Sequence, residues 1–164
     1  MLNIRNAKKE DADLILYFIE QLAIYEKEPD AVKATKDDII RDGFSEPPFF
    51  HVLLADWDNK PAGFAFYFYN YSTWLGRPGL YLEDLFVIPE FRGKGIGKAL
   101  LIKLAKIAVE QNCGRFQWQV LDWNKPAIDF YESLGAINLN EWLTYRLEGD
   151  NLLNLSKLEL KELS

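Results

Sequence analysis

Gly79-Leu-Tyr-Leu-Glu-Asp-Leu-Phe-Val-Ile-Pro-Glu-Phe-Arg-Gly-Lys-Gly-Ile-Gly-Lys98, followed by an apolar-periodic run to Gln111, decides the fold. Leu80 to Ile88 is rich in β-branched and aromatic residues and predicts a strand. Pro89 stops it, because proline cannot extend a hydrogen-bonded ladder. After Arg92-Gly93-Lys94-Gly95-Ile96-Gly97-Lys98, the residues Leu100, Leu101, Leu104, Ile107 and Ala108 recur at helical spacing. The predicted helix spans Ala99 to Gln111 and ends at Asn112-Cys113-Gly114.

Strand, glycine-rich loop and helix together suit the holding of phosphates. Glycines let successive N–H groups converge without Cβ interference. A helix N-terminus adds unpaired donors and partial positive charge, and Arg92, Lys94 and Lys98 add full charges. A Walker loop needs Gly-x-x-x-x-Gly-Lys-Ser/Thr. Here Ala99 follows Gly97-Lys98, and Arg92 occupies the earlier glycine position, so that reading fails. The Gly93, Gly95, Gly97 spacing is also a poor match to the Gly-x-Gly-x-x-Gly of a dinucleotide fold.

Arg92-Gly93-Lys94-Gly95-Ile96-Gly97 resembles the acyl-CoA loop of the GNAT N-acetyltransferase superfamily, with signature Arg/Gln-x-x-Gly-x-Gly/Ala. The resemblance implies that residues 92–98 bind the pyrophosphate of acetyl-CoA, and that Leu85, Phe86 and Val87 pair with its pantetheine arm. A second stretch, Asn124-Lys-Pro-Ala-Ile-Asp-Phe-Tyr-Glu-Ser-Leu-Gly135, matches the superfamily's Asn followed by Ala-x-x-Phe-Tyr-x-x-x-Gly. It implies that Asn124, Pro126 and Ala127 contact the cofactor and that Tyr131 is the general acid beside the thioester sulfur. Amine attack expels a thiolate, and a phenol near pKa ~10 is a weaker acid than a thiol at ~8.5. Tyr131 is therefore expected to assist in the transition state, by about 10²–10⁴ in rate.

The rest of the chain fits that frame. Leu2–Arg5 reads as a strand. A helix opening near Asp11 carries Leu14, Ile15, Phe18, Ile19, Leu22 and Tyr25 on one stripe. Thr35-Lys-Asp-Asp38 is a capping-box start for a short helix ending at Gly43. Phe49–Trp57 and Pro61–Tyr69 read as a hairpin turning at Asp58-Asn59-Lys60. Residues 71–78 read as a loop, Arg115–Leu121 as a strand, the stretch after Asn124 as a helix closed by Gly135, and Leu143–Leu147 as a further strand. The tail from Asn151 to Ser164 is ambiguous: Leu-Leu-Asn-Leu favours a helix, whereas Leu158-Glu-Leu-Lys alternates like a strand. The expected fold is α/β: a GNAT-like, mixed but mostly antiparallel sheet with helices on both faces and splayed central strands. One domain over residues 1–164 is the simplest organisation.

Glu83 and Asp84 are acids inside a strand that otherwise reads as buried, and a buried carboxylate needs a partner. Period-two alternation sends them to opposite faces, so at least one faces a cleft. Direct transfer needs a neutral amine, and deprotonating an ammonium near pKa ~10.4 at pH 7 costs roughly 4–5 kcal/mol. Glu83 is the candidate acceptor of that proton, with Asp84 as helper.

A narrower resemblance rests on Leu22-Ala-x-Tyr25-Glu26, Asp42-Gly-Phe44, Pro48-Phe-x-His51, Trp74-x-Gly-Arg77 and Tyr81-Leu-Glu-Asp84. These look like the spermidine/spermine (diamine) N-acetyltransferase family. That likeness implies an amine site lined by Tyr25, Glu26, Trp74, Glu83 and Asp84, and a homodimer in which the Trp74 loop serves the neighbouring subunit. Carboxylates suit a cation, and Tyr25 and Trp74 offer cation–π contact. Ser72 stands where the polyamine branch has an acid, and Leu143-Thr144-Tyr145 where it has Glu-Gly-Trp. Both departures remove anchors for a long polycation, and Ser72-Thr-Trp and Val120-Leu-Asp-Trp-Asn124 are closer to the sister branch, which resembles acetyltransferases of thialysine and related small amines. Acetylation of a peptide lysine, or acyl-CoA binding without catalysis, are the alternatives.

Bulk properties narrow the partners. The net charge of −6 opposes non-specific nucleic-acid binding. Met1–Glu10 has no apolar signal-peptide core, and no apolar run is long enough to span a membrane. A single Cys113 and a single His51 exclude a disulfide and argue against zinc, so a cytoplasmic enzyme without metal is expected. His51, at the head of a strand, is expected to be structural.

Overall fold

Alternating and periodic apolar positions build a five-stranded open sheet flanked by helices. The computed structural model describes residues 1–159. These fall into two compact units, Met1–Asp122 and Trp123–Ser164. In the first unit the strands are β1 (Leu2–Asn6), β2 (His51–Trp57), β3 (Lys60–Ser72), β4 (Arg77–Val87) and β5 (Arg115–Trp118). They lie in the order β1-β2-β3-β4-β5. The first three pairings are antiparallel and β4–β5 is parallel. The helices are α1 (Ala12–Tyr25), α2 (Lys36–Gly43) and α3 (Ile96–Glu110). The second unit holds α4 (Lys125–Ser133) and α5 (Gly149–Ser156).

Local chemistry explains most boundaries. Thr35 Oγ1 accepts from the Asp38 N–H while Asp38 accepts from the Thr35 N–H, the reciprocal capping box that starts α2. Asp58 and Asn59 both take positive φ (48° and 63°), the left-handed pair that matches a two-residue hairpin to strand twist. Arg5 donates two hydrogen bonds to Asp11, at 2.7 and 3.0 Å, fastening β1 to the start of α1.

Helices cover both faces of the sheet. Ala12, Ile15 and Phe18 of α1 and Ile39 of α2 form one core cluster with Val52, Leu54, Phe64 and Phe86. Register places Val52 opposite Phe66, and Phe64 opposite both Leu54 and Phe86, so these strand residues share a face. The other face carries Leu53, Ala65 and Val87. There α3 buries Ile96, Leu100, Leu101 and Leu104, and its Gly97 lies against Val87.

Several expectations are corrected. Half of the loop expected over 71–78 is strand: Ser72 pairs with Arg77, leaving residues 73–76 as the turn. Ser72 is buried and its Oγ accepts from the Leu75 N–H at 3.1 Å, which closes that turn. Pro78 is tolerated because it lies near the start of β4, before the ladder to β5 begins at Gly79. The strand expected over Leu143–Leu147 joins no ladder among the described residues. Its alternation supplies propensity, but a strand exists only with a partner, and Leu143, Tyr145 and Leu147 are exposed. Helix α5 resolves the start of the tail, whereas Leu160 and Lys161 of the alternating segment lie outside the described residues.

Close approach of β3 to β4 fixes the shape of the sheet near the glycine-rich loop. A Cβ on Gly63 would meet the Phe86 carbonyl oxygen at 2.5 Å, whereas one on Gly97 would meet Val87 Cγ2 at an ordinary 3.9 Å. Gly63→Ala is expected to lower the urea-unfolding free energy by about 1–3 kcal/mol through overpacking. Gly97→Ala is expected to be neutral or stabilising by up to ~1 kcal/mol, since alanine is the better helix former.

Candidate active site

β4 keeps its ladder to β3 as far as Val87, but its ladder to β5 stops at Leu82, opposite Trp118. From Glu83 to Val87 the outer edge of β4 is therefore unpaired with β5, and among the described residues no other strand replaces it. The opening arises because β5, the edge strand, is four residues long and ends opposite Leu82. Backbone donors and acceptors on such an edge are a template for another extended chain. Leu85 and Val87 are half-buried and the Phe86 side chain is buried.

The open edge leads into the loop. A 3₁₀ turn, Pro89–Phe91, precedes Gly93 and Gly95, which take φ of 78° and 79°. That conformation favours glycine, and nothing lies within 4 Å of where either Cβ would stand. Gly95 is the N-cap of α3 and provides no side-chain cap, so the first N–H groups of the helix keep their capacity for an anion. Helix α3 starts at Ile96, three residues before the expected Ala99, which places Gly97 and Lys98 in its first turn. The Ile96 side chain is buried, leaving its N–H as the group it can offer.

The three cations of the loop behave differently. Lys98 is exposed. Lys94 Nζ lies 5.3 Å from the Trp57 ring centroid. Arg92 donates from Nε to the Val87 carbonyl at 3.0 Å, and its guanidinium lies over Tyr25 at 4.9 Å and Phe86 at 5.4 Å.

The acids gather through an irregularity in β4. Phe66 pairs with Asp84 but Tyr67 pairs with Leu82, so Glu83 is an extra residue, a β-bulge. The bulge breaks strict alternation: Leu82 follows Tyr67 to one face and Asp84 follows Phe66 to the other. Asp84 thus belongs to the face covered by α1. Its carboxyl is pushed up to about 7 by burial, then by the charges of Glu83 and Glu26. Burial and Glu83 also raise Glu26, while burial, Glu83 and Asp84 raise the Tyr81 phenol. The strict alternation expected at Glu83 and Asp84 is interrupted by the bulge, and the charge of Glu83 acts on both Asp84 and Glu26. Glu83 is exposed and Asp84 half-buried.

Tyr25 ends α1, beside Glu26, and joins this region through Phe86, with ring centroids 6.5 Å apart. Trp74 does not join it. It is exposed in the β3–β4 turn, and Glu83 lies six strand residues beyond Arg77, about 20 Å along β4. His51 is half-buried between Tyr67 and Tyr69, at 5.3 and 5.6 Å, and burial depresses its pKa, consistent with a structural role.

The remaining site candidates lie in the second unit. Asn124 caps α4, its side-chain oxygen accepting from the Ala127 N–H at 3.4 Å. Pro126 sits in the first turn, where its missing N–H costs nothing. Tyr131 is half-buried on the same helix, which ends at Ser133 and is followed by Gly135 at φ 90°. The bulge and the placement of Arg92 on aromatic rings were missed from sequence. Neither glycine nor proline marks the bulge, although two successive acids in an apolar strand were a signal of broken alternation.

A profile of the acetyltransferase (GNAT) family matches residues 15–136. The chain is 43% identical over 164 residues to thialysine N-epsilon-acetyltransferase of Sus scrofa, covering 93% of this chain and 96% of that one. It is 36% identical to spermidine/spermine N(1)-acetyltransferase-like protein 1 of Homo sapiens, over 93% of this chain and 23% of that protein. Among solved structures, an integron cassette protein from the mobile metagenome of V. cholerae superimposes with a TM-score of 0.80 at 34% identity, over 96% of this chain and 98% of that one. The chain belongs to the acetyltransferase (GNAT) family and is an N-acetyltransferase.

The raised Asp84 carboxyl makes stability depend on pH. Below about pH 4 it is protonated in both folded and unfolded chains. Between the unfolded value near 3.8 and the folded value of about 7, only the folded chain keeps the proton. Stability from this group therefore falls as pH rises through that window, by on the order of 4 kcal/mol, and then levels off. Asp84→Asn is expected to flatten that decline in unfolding free energies measured from pH 4 to 8.

Proposed function

We propose that this GNAT-family chain transfers the acetyl group of acetyl-CoA directly to the primary amine of a small cation: a diamine, a polyamine or a lysine analogue. The observation that carries this reading is a juxtaposition on β4. Five residues, Glu83–Val87, present both an open main-chain edge and two of three mutually coupled carboxylates, Glu26 supplying the third. An acyl carrier's amide-bearing arm suits the first feature, and an ammonium group suits the second. The named activities of the relatives, on thialysine and on spermidine/spermine, support the same substrate class.

Acetyl-CoA supplies an activated thioester. The residues that would hold it are the edge at Leu85, Phe86 and Val87, and the N–H groups of Gly93, Lys94, Gly95, Ile96 and Gly97. Arg92, Lys94 and Lys98 contribute positive charge, and the family resemblance assigns Asn124, Pro126 and Ala127 to the same cofactor. Positive φ at two glycines and the uncapped start of α3 support the fit. On the amine side, Glu26, Glu83 and Asp84 attract the cation and Tyr25 offers its ring face. Glu83, exposed at the bulge, takes the ammonium proton through water, with Asp84 as its helper. Tyr131 donates a proton toward the departing sulfur.

The proposal treats residues 1–164 as one functional domain in a cytoplasmic homodimer, in which Trp74, remote from Glu83 along its own strand, reaches the site of the second copy. No nucleic acid, membrane or metal takes part. No helix among the described residues is long and apolar enough to cross a membrane, and no group of three or more His, Cys, Asp or Glu residues is placed to hold a metal ion.

Free-thiol release from acetyl-CoA over diamines, polyamines, lysine analogues and lysine peptides tests the reading. Thiol release with small amines is expected. Release with peptides alone would favour peptide acetylation, and coenzyme A binding with no release would favour a non-catalytic module. Tyr131→Phe is expected to lower kcat by about 10²–10⁴ with coenzyme A affinity retained. Unchanged turnover would remove Tyr131 from the chemistry.

A further inference from the structure

We propose that Arg92 is a positioning residue for the amine side, clamping the end of α1 to β4 so that the acyl-carrier loop and the amine site are coupled. The proposal rests on the reading above and adds to it. A guanidinium is planar, and its two modes of contact are orthogonal: in-plane N–H groups donate hydrogen bonds while the faces stack on aromatic rings. Arg92 uses both modes. Its Nε–H is committed to the Val87 carbonyl at 3.0 Å, and its charge lies over Tyr25 at 4.9 Å and Phe86 at 5.4 Å.

Each partner has a meaning. Val87 and Phe86 belong to the open edge of β4. Tyr25 is the last residue of α1, and Glu26, the next, interacts electrostatically with Glu83 and Asp84. The Tyr25 ring is more than a third exposed, so the core alone does not fix it. Arg92 therefore ties the first residue of the glycine-rich signature to the aromatic and acidic lining of the other substrate's site. A lysine could not reproduce this, because an ammonium on a flexible stem lacks both the plane and the fork.

The test is a double-mutant cycle in the full chain. Steady-state kinetics at saturating acetyl-CoA would use thialysine or spermidine, whichever the native chain turns over. The variants are Arg92→Met, Arg92→Lys, Tyr25→Phe, Tyr25→Leu and the Arg92→Met/Tyr25→Leu pair. Arg92→Met and Tyr25→Leu are each expected to raise the amine KM by about threefold to thirtyfold, the range of a cation–π contact, with kcat largely retained. Tyr25→Phe, which keeps the ring face, should raise the amine KM less than Tyr25→Leu, and Arg92→Lys, which keeps a charge but not the planar fork, should fall between the native chain and Arg92→Met. The double variant should be no worse than the worse single one, because both remove the same contact. Effects that multiply in the double variant, or Arg92 variants that change only the acetyl-CoA KM, would overturn the proposal. A native chain that releases thiol with no amine would instead overturn the functional reading itself, a distinct result.

Discussion

A strand that outruns its parallel neighbour creates the opening on which the proposed site depends. β4 stays bonded to β3 throughout, whereas its parallel partner β5 is four residues long and ends opposite Leu82. The main-chain N–H and C=O groups along this outer edge have no strand partner beyond Leu82 among the described residues and can pair with another extended chain. An extended ligand bearing amides suits such pairing, and the glycine-rich loop at the end of the same edge offers donors to phosphates. An acyl carrier bound as proposed would engage one strand and the turn after it.

The bulge at Glu83 adds the second half of the site. By inserting one residue it switches β4 across the sheet: Leu80 and Leu82 pack on one face, whereas Asp84 and Phe86 pack on the other. The acids meet Glu26 at the end of α1 as a consequence. Burial and neighbouring negative charge raise the Asp84 and Glu26 carboxyls, which costs stability at neutral pH and suits the proposed cationic substrate. Strained electrostatics of this sort concentrate at functional sites. Arg92 stands between this cluster and the loop, its charge spread over two rings.

Much of this was legible in the sequence. Glycine spacing between a strand and a helix located the loop, and the residues from Asn124 to Gly135 located the capped helix, because turn and cap chemistry is local. The hairpin at Asp58-Asn59 and the capping box at Thr35 were readable for the same reason. What pairing decides was not readable. Residues 143–147 have strand propensity without a ladder, and residues 71–78 extend a hairpin despite carrying glycine and proline. The bulge depends on how β3 and β4 accommodate each other, so alternation alone put Glu83 and Asp84 on opposite faces. Lys94 and Arg92 were read only as charges, since aromatic partners as distant in sequence as Trp57 and Tyr25 cannot be assigned from spacing.

Amide hydrogen exchange in the presence and absence of coenzyme A is the most direct measurement. If β4 and the loop grip the acyl carrier, exchange slows at residues 85–87 and 93–98 and stays unchanged in β1 and β2. Exchange that stays unchanged at those residues while coenzyme A is bound elsewhere, or not bound at all, contradicts the central claim.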